Sequence, residues 1–214
     1  MFGLMIKDFY TQRKFAYLAP IFLLPYFLTL GRNISGAGIE LFSLSIGFIG
    51  YIMTLYSNFN IGESEKMQNR LLISLPTTRT AIIFAKYVMI SFWWLISYIS
   101  YVVLLFVLER LLHYNLTQSF DIRIAALSLC ATYLFASIFY PFHFKFGYRA
   151  ASLLGIAMFF LVTNGMGKLF SLSRSGSWGS AMADQPILSF AVITLSCVLV
   201  SYLLSVRIFS KKDF

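Results

Sequence analysis

The side chains able to take part in catalysis are few and lie far apart along the chain. There are two histidines, His113 and His143, and two cysteines, Cys130 and Cys197. A hydrolase nucleophile needs a neighbouring base, and a metal site needs several ligands at close spacing. The histidines stand near the ends of apolar runs and the cysteines inside them, so we expect no catalytic residue, no metal ligand and no disulfide framework.

A partial phosphate-binding signature occurs at Gly165, Gly167 and Lys168. Such a loop also requires a glycine at position 162, which is Val162, and a serine or threonine at position 169, which is Leu169. We therefore expect that the chain is not an enzyme and holds no cofactor. If ATP powers it, another subunit binds and hydrolyses that ATP.

The overall composition places the chain in a membrane. Of its 214 residues, 59% are hydrophobic and 12% are charged, which is about half the charged share of soluble domains. So little charge cannot cover a soluble globule, and the hydrophobicity excludes intrinsic disorder. The net charge of +9 belongs to basic residues that flank apolar runs, so we expect membrane orientation from it and no nucleic acid partner.

Apolar runs predict an all-α integral membrane protein with six transmembrane helices in a single domain of residues 1–214. The predicted spans are residues 15–30, 41–56, 82–108, 124–142, 150–170 and 186–208. With both termini on one side, that side carries twelve of the 17 Lys and Arg residues, and the positive-inside rule makes it cytoplasmic. Residues 1–14 alternate apolar and charged side chains at helical spacing, which predicts an amphipathic helix on the cytoplasmic membrane surface. The alternative is that these residues are only a charged start to the first span.

The longest polar stretch on that side is residues 60–79, between the second and third spans. Acidic residues near its start and proline at its end predict a short helix. Its apolar stripe is formed by Met67, Leu71, Leu72 and Leu75. A stripe outside the membrane must be covered, either by the bilayer surface and the protein's own helices or by a groove on a cytoplasmic partner.

Aromatic and small residues inside the spans allow two interpretations each. Trp93, Trp94 and Tyr98 lie near the middle of the third span, away from the interfacial belt that tryptophan prefers. They line a cavity for an amphipathic substrate, or they contact lipid and pack against other helices. Gly47 and Gly50 permit close helix approach in the second span, to a partner subunit or within the chain.

The polar stretch resembles that of the type-2 ABC exporter permeases, the membrane subunits that pair with separate ATP-binding-cassette ATPases. The resemblance is carried by Glu63 and Glu65, by the run from Arg70 to Arg79, and by Lys86 in Ala-Lys-Tyr. Both chain ends are also similar to those of the family. The specific resemblance covers residues 60–87, and the six-span organisation extends it over the whole chain.

The resemblance implies a bacterial cell-membrane exporter in which two permeases, identical or related, each rest on one ATPase. Residues 60–79 would form the coupling helix held in an ATPase cleft, and residues 1–14 the interface helix. The coupling contacts would come from Glu63, Glu65, Lys66, Met67, Arg70, Leu71, Leu72, Leu75, Pro76 and Arg79.

The implied cargo is amphipathic or lipophilic, because the spans carry almost no charge and similar chains include bacitracin-resistance pumps and modulin or antimicrobial-peptide exporters. Ion-driven carriers need ionisable residues at depth, and Lys86 near the start of the third span comes closest to this. The competing interpretation is a stand-alone channel, or a scaffold, without ATP coupling.

Overall fold

The computed structural model describes residues 2–10, 12, 14–24, 36–58, 78–112, 122–173 and 186–211. Every regular element among these residues is helical, as the sequence predicts. They are α1 (Phe2–Tyr10), a 3-10 helix (Lys14–Phe22), α2 (Gly36–Ser57), α3 (Arg79–Leu112), α4 (Ile122–Phe146), α5 (Tyr148–Ser173) and α6 (Pro186–Ser210).

Three helices in the described part of the chain are long and apolar enough to cross a membrane. They cover Arg79–Leu108 in α3, Ile122–Phe146 in α4 and Ile187–Ser210 in α6, and a shorter apolar helix covers Phe42–Ser57 in α2. The fifth predicted span, residues 150–170, lies within the continuous helix α5. Only part of the first predicted span is described, and there the chain forms the 3-10 helix. The count of six spans therefore stays a prediction.

Helix α4 is the centre of the bundle, because it packs against α2, α3, α5 and α6. It approaches α2 closely at Gly47, where an added methyl group would lie 2.7 Å from the Ala131 Cβ and 2.8 Å from the Ser128 carbonyl oxygen. Thr132 also donates a hydrogen bond to the Gly47 carbonyl at 3.2 Å. The small residues of α2 thus serve packing within the chain.

One end of the bundle, which we call the basal end, gathers the C-termini of α2, α4 and α6 and the N-terminus of α3. Arg79 at the start of α3 bonds to the last carbonyls of α6, and Tyr140 near the end of α4 bonds to α3. Consecutive helices therefore alternate in direction. This is the arrangement that the predicted topology requires.

A proline inside α4 is accommodated by a neighbouring helix. Pro141 has no N–H, so the Ser137 carbonyl four residues earlier loses its intrahelical partner. The Ser201 hydroxyl of α6 donates to that carbonyl at 2.5 Å. Since Ser201 has a single hydroxyl hydrogen, the contact of 2.5 Å between Ser201 and Tyr87 places the Tyr87 hydroxyl as the donor. The helix continues past Pro141 to Phe146, beyond the predicted end at residue 142.

A single residue, Gly147, separates α4 from α5. It has a φ of 85°, a left-handed conformation that glycine adopts without steric cost. Its N–H donates to the His143 carbonyl at 3.0 Å and closes the end of α4. Helix α5 then begins at once with Tyr148.

The outward faces of the spanning helices are apolar. On α6, Leu195 and Leu203 are 66% and 67% exposed, and on α3 Phe106 is 58% exposed. Exposed large side chains in such numbers are costly in water but are solvated by lipid tails. These faces fit a bundle that is surrounded by a bilayer.

Candidate functional site

The predicted coupling segment, residues 60–79, lies between α2 and α3. Nine of its ten predicted contact residues fall outside the described residues, namely Glu63, Glu65, Lys66, Met67, Arg70, Leu71, Leu72, Leu75 and Pro76. The structure describes Arg79 and the two places where the segment joins the bundle. The candidate site is therefore built from these junctions at the basal end.

The C-terminal junction begins with a helix cap. The Ala81 N–H donates to the Thr78 hydroxyl at 3.3 Å, and the Ile82 N–H donates to the Thr78 carbonyl at 3.2 Å. A threonine that satisfies the third N–H of a helix is a typical N-cap. Thr78 therefore fixes the residue at which α3 starts.

Arg79 follows this cap and ties α3 to the end of α6. Its guanidinium donates to the Ser210 carbonyl at 2.6 Å and to the Phe209 carbonyl at 3.4 Å. These carbonyls belong to the last turn of α6, which lacks intrahelical donors and carries the negative end of the helix dipole. A cation placed there holds the two helix ends together.

The N-terminal junction is Asn58, which directly follows α2 and is 4% exposed. Its amide donates to the Thr54 carbonyl at 2.9 Å and so closes the last turn of α2. Its amide oxygen accepts a hydrogen bond from the Lys86 amine of α3. Asn58 thereby connects the end of α2 to the second turn of α3.

Tyr140 of α4 completes this connection. The Asn58 amide donates to the Tyr140 hydroxyl at 3.4 Å, and that hydroxyl donates to the Lys86 carbonyl at 3.3 Å. We call Asn58, Lys86 and Tyr140 the polar junction. Each of its three members bonds to the other two, and all three are buried.

Helix α1 lies against the bundle beside the polar junction. Asp8 is buried, and the side chain of Gln12 just beyond α1 donates to the Met53 carbonyl of α2 at 3.1 Å. Burial and the positive charge of Lys86 lower the pKa of Lys7, while the negative charge of Asp8 opposes this shift. The amphipathic helix predicted from residues 1–14 therefore has its charged residues near α3.

The aromatic residues predicted to line a cavity divide between two environments in α3. Trp93 is fully buried and stacks on Phe9 of α1, with ring centroids 5.8 Å apart. Trp94 is half-buried, donates to the Ser128 hydroxyl of α4 at 3.0 Å and stacks on Tyr98 at 5.6 Å. All three contact helices of the same chain, and their role as cavity lining stays a prediction.

Sequence reasoning singled out Lys86 and Arg79 but not the partners that hold them. The available signal was that an ionisable residue within an apolar helix needs a polar partner. Asn58 and Tyr140 are polar residues close to the ends of predicted spans, so each could be the polar partner that Lys86 needs. The sequence does not reveal which helices are neighbours, and it therefore could not select them.

Metal chemistry has no support in this part of the molecule. Across the described ranges there is no group of three or more His, Cys, Asp or Glu residues that could hold an ion. The bonds described above instead fix helix ends to one another.

The family of the chain follows from comparison with known proteins. The model of the ABC-2 family transporter protein matches residues 3–210, so this chain belongs to the ABC-2 transporter family. It is a permease subunit of an ABC transporter, and such permeases work in a membrane with an ATPase partner. Searches of curated proteins and of solved structures gave no match.

Proposed function

We propose that the chain is the membrane subunit of a bacterial exporter that works as a pair of permeases, each with one cytoplasmic ATPase beneath it. The family match over residues 3–210 carries this proposal. The second permease is a further copy of this chain or a related one. The chain itself hydrolyses no ATP, and the ATPase supplies the energy.

The ATPase contact in this proposal is the coupling segment at residues 60–79. Met67, Leu71 and Leu72 fill a cleft of the ATPase, and charged residues such as Glu63 and Arg70 make polar contacts around it. The position of the segment supports this role, because the helix ends on either side of it are bonded to the bundle. A movement imposed on the segment therefore acts on ordered helices.

The test is to replace Leu71 and Leu72 together with aspartate. Two charges in an apolar stripe cannot enter a dry cleft without a large desolvation cost. We expect the Leu71→Asp/Leu72→Asp permease to insert in the membrane normally and to lose the ATPase. The measurement is copurification of a coexpressed ABC ATPase, with permease yield as the insertion control.

A matched control places the same two charges on the face of the predicted helix opposite the stripe, as Asn69→Asp/Ile73→Asp. This variant should retain the ATPase. If the Leu71→Asp/Leu72→Asp permease retains it as well, the docking role is wrong. If even the native permease retains no ATPase but conducts ions in liposomes without ATP, the chain is a channel.

The proposed cargo is an amphipathic or lipophilic peptide or drug. The apolar spans and the half-buried pair Trp94 and Tyr98 support it, because aromatic faces bind apolar surfaces and cationic groups. We expect bacitracin to stimulate ATP hydrolysis by the reconstituted complex, and Tyr98→Ala to reduce that stimulation. No stimulation by bacitracin or by a panel of amphipathic peptides would exclude this cargo class.

A further inference from the structure

The coupling segment joins the bundle through Asn58, so any force that it exerts on α2 passes through this residue. Asn58 follows the last turn of α2 and is buried. The end of a helix is usually its weakest part, because its last carbonyls have no intrahelical partners. A frayed end would absorb a displacement without moving the rest of the helix.

The polar junction prevents this fraying and joins three helices at one level. Lys86 donates to Asn58, Asn58 donates to Tyr140 at 3.4 Å, and Tyr140 donates back to the Lys86 backbone at 3.3 Å. The hydrogen bonds thus form a closed circuit through α2, α3 and α4. A displacement of one helix end strains bonds to both of the others.

Burial makes this circuit costly to open. Lys86 is 8% exposed and Tyr140 is 1% exposed, so water is poorly placed to replace a broken bond. A buried donor or acceptor that loses its partner keeps its full desolvation cost, and a buried charge that loses its partner costs still more. The three helix ends therefore move together more readily than they separate.

We propose that Asn58, Lys86 and Tyr140 are positioning residues that convert a movement of the coupling segment into a joint movement of α2, α3 and α4. This inference rests on the proposed function, since the ATPase imposes the movement. An experiment can reject the positioning role without rejecting the proposed function, because ATPase binding and helix movement are measured independently.

The test uses two substitutions that open the circuit, Tyr140→Phe and Lys86→Met, in the full permease with its coexpressed ATPase. Hydrogen exchange is followed by mass spectrometry with and without ATP and vanadate. In the native complex, nucleotide trapping should change exchange at residues 52–58, 79–90 and 136–146 together. In both variants the ATPase should remain bound, and the change at these three helix ends should be lost.

The matched control is Tyr133→Phe. Tyr133 lies on the same helix as Tyr140 and also donates to a backbone carbonyl of α3, that of Tyr87 at 3.4 Å. It has the same chemistry but lies about two turns farther from the coupling segment. Tyr133→Phe should keep the joint change in hydrogen exchange. Lys86→Arg retains a side-chain donor at position 86, so it should show the joint change that Lys86→Met loses.

Each outcome has a defined meaning. If the native permease does not retain the ATPase, the proposed function fails. If it retains the ATPase but Tyr140→Phe still shows the joint change, or the native complex shows none, the positioning role is wrong. If Lys86→Met does not fold, Tyr140→Phe decides the question, because it removes a single hydroxyl group.

Discussion

Lys7 illustrates what burial does to a single charge at the edge of the bundle. Its pKa lies below the ordinary value of 10.5, first because the side chain is partly buried and second because Lys86 is positive. Between the lowered pKa and 10.5 the unfolded chain binds more protons than the folded chain. The contribution of Lys7 to the free energy of unfolding therefore rises with pH across that interval.

We expect the thermal midpoint of the native permease, measured relative to that of Lys7→Met, to rise as the pH is raised toward 10.5. The measurement is a melting curve in detergent over a series of alkaline pH values. Below the lowered pKa, the difference between the two proteins should not vary with pH. If the thermal midpoints of both proteins change equally with pH throughout, the charge of Lys7 does not destabilise the folded protein.

Individual side chains also show where sequence reasoning stops. Thr77 and Thr78 both have side chains suited to an N-cap, and the bond from the Ala81 N–H shows that Thr78 caps α3. The role of Asn58 was not foreseen, because its partners Lys86 and Tyr140 lie 28 and 82 residues away. Local pattern identifies caps, whereas contacts between distant residues depend on how the helices are arranged.

At the scale of elements, apolar runs predicted where the helices lie but not where each helix ends. A chain in lipid must satisfy its backbone internally, so an apolar run of sufficient length forms a helix. Hydrophobicity falls at the membrane boundary, whereas helical hydrogen bonding continues beyond it. Helix α3 accordingly starts at Arg79, three residues before the predicted span, and α4 continues through Pro141 to Phe146.

The repair at Pro141 gives a prediction about two helices. Ser201→Ala removes the donor to the buried Ser137 carbonyl and should lower the free energy of unfolding by about 1–3 kcal/mol. Pro141→Ala returns an N–H to that carbonyl within α4. The cost of Ser201→Ala should therefore be smaller when Pro141→Ala is also present.

Unfolding of the four proteins of this double-mutant cycle measures the coupling between the two positions. The control is Ser196→Ala, because Ser196 is exposed on the same helix and bonds only within it, to the Val192 carbonyl at 2.9 Å. This control should have little effect. Additive costs for Pro141→Ala and Ser201→Ala would contradict the repair.

At the scale of the whole molecule, the charge distribution predicts that the basal end faces the cytoplasm. Arg79 and the C-terminal turn of α6 lie together there, and the positive-inside rule makes the side with twelve basic residues cytoplasmic. We expect a cysteine in place of Ser210 to react with an impermeant maleimide only after the cells are opened. A cysteine in place of Ser177 should react in intact cells.

Both labelling variants need a background in which Cys130 and Cys197 are replaced by serine, since both native cysteines are free. A protein without cysteines provides the blank for each reaction. Labelling of the Ser210→Cys protein in intact cells would reverse the proposed orientation. Labelling of both proteins in intact cells would show that α6, which lies between the two positions, does not cross the membrane.

The one-residue connection at Gly147 has a consequence for how the protein is made. A single residue spans no more than about 3.6 Å of chain, so the end of α4 and the start of α5 have no slack between them. The ribosome releases these helices in succession, and we expect neither to reach its final tilt while the other is still outside the bilayer. We expect them to enter as one hairpin, with Lys145 and Arg149 on either side of its tip as charges that favour the membrane face where synthesis takes place.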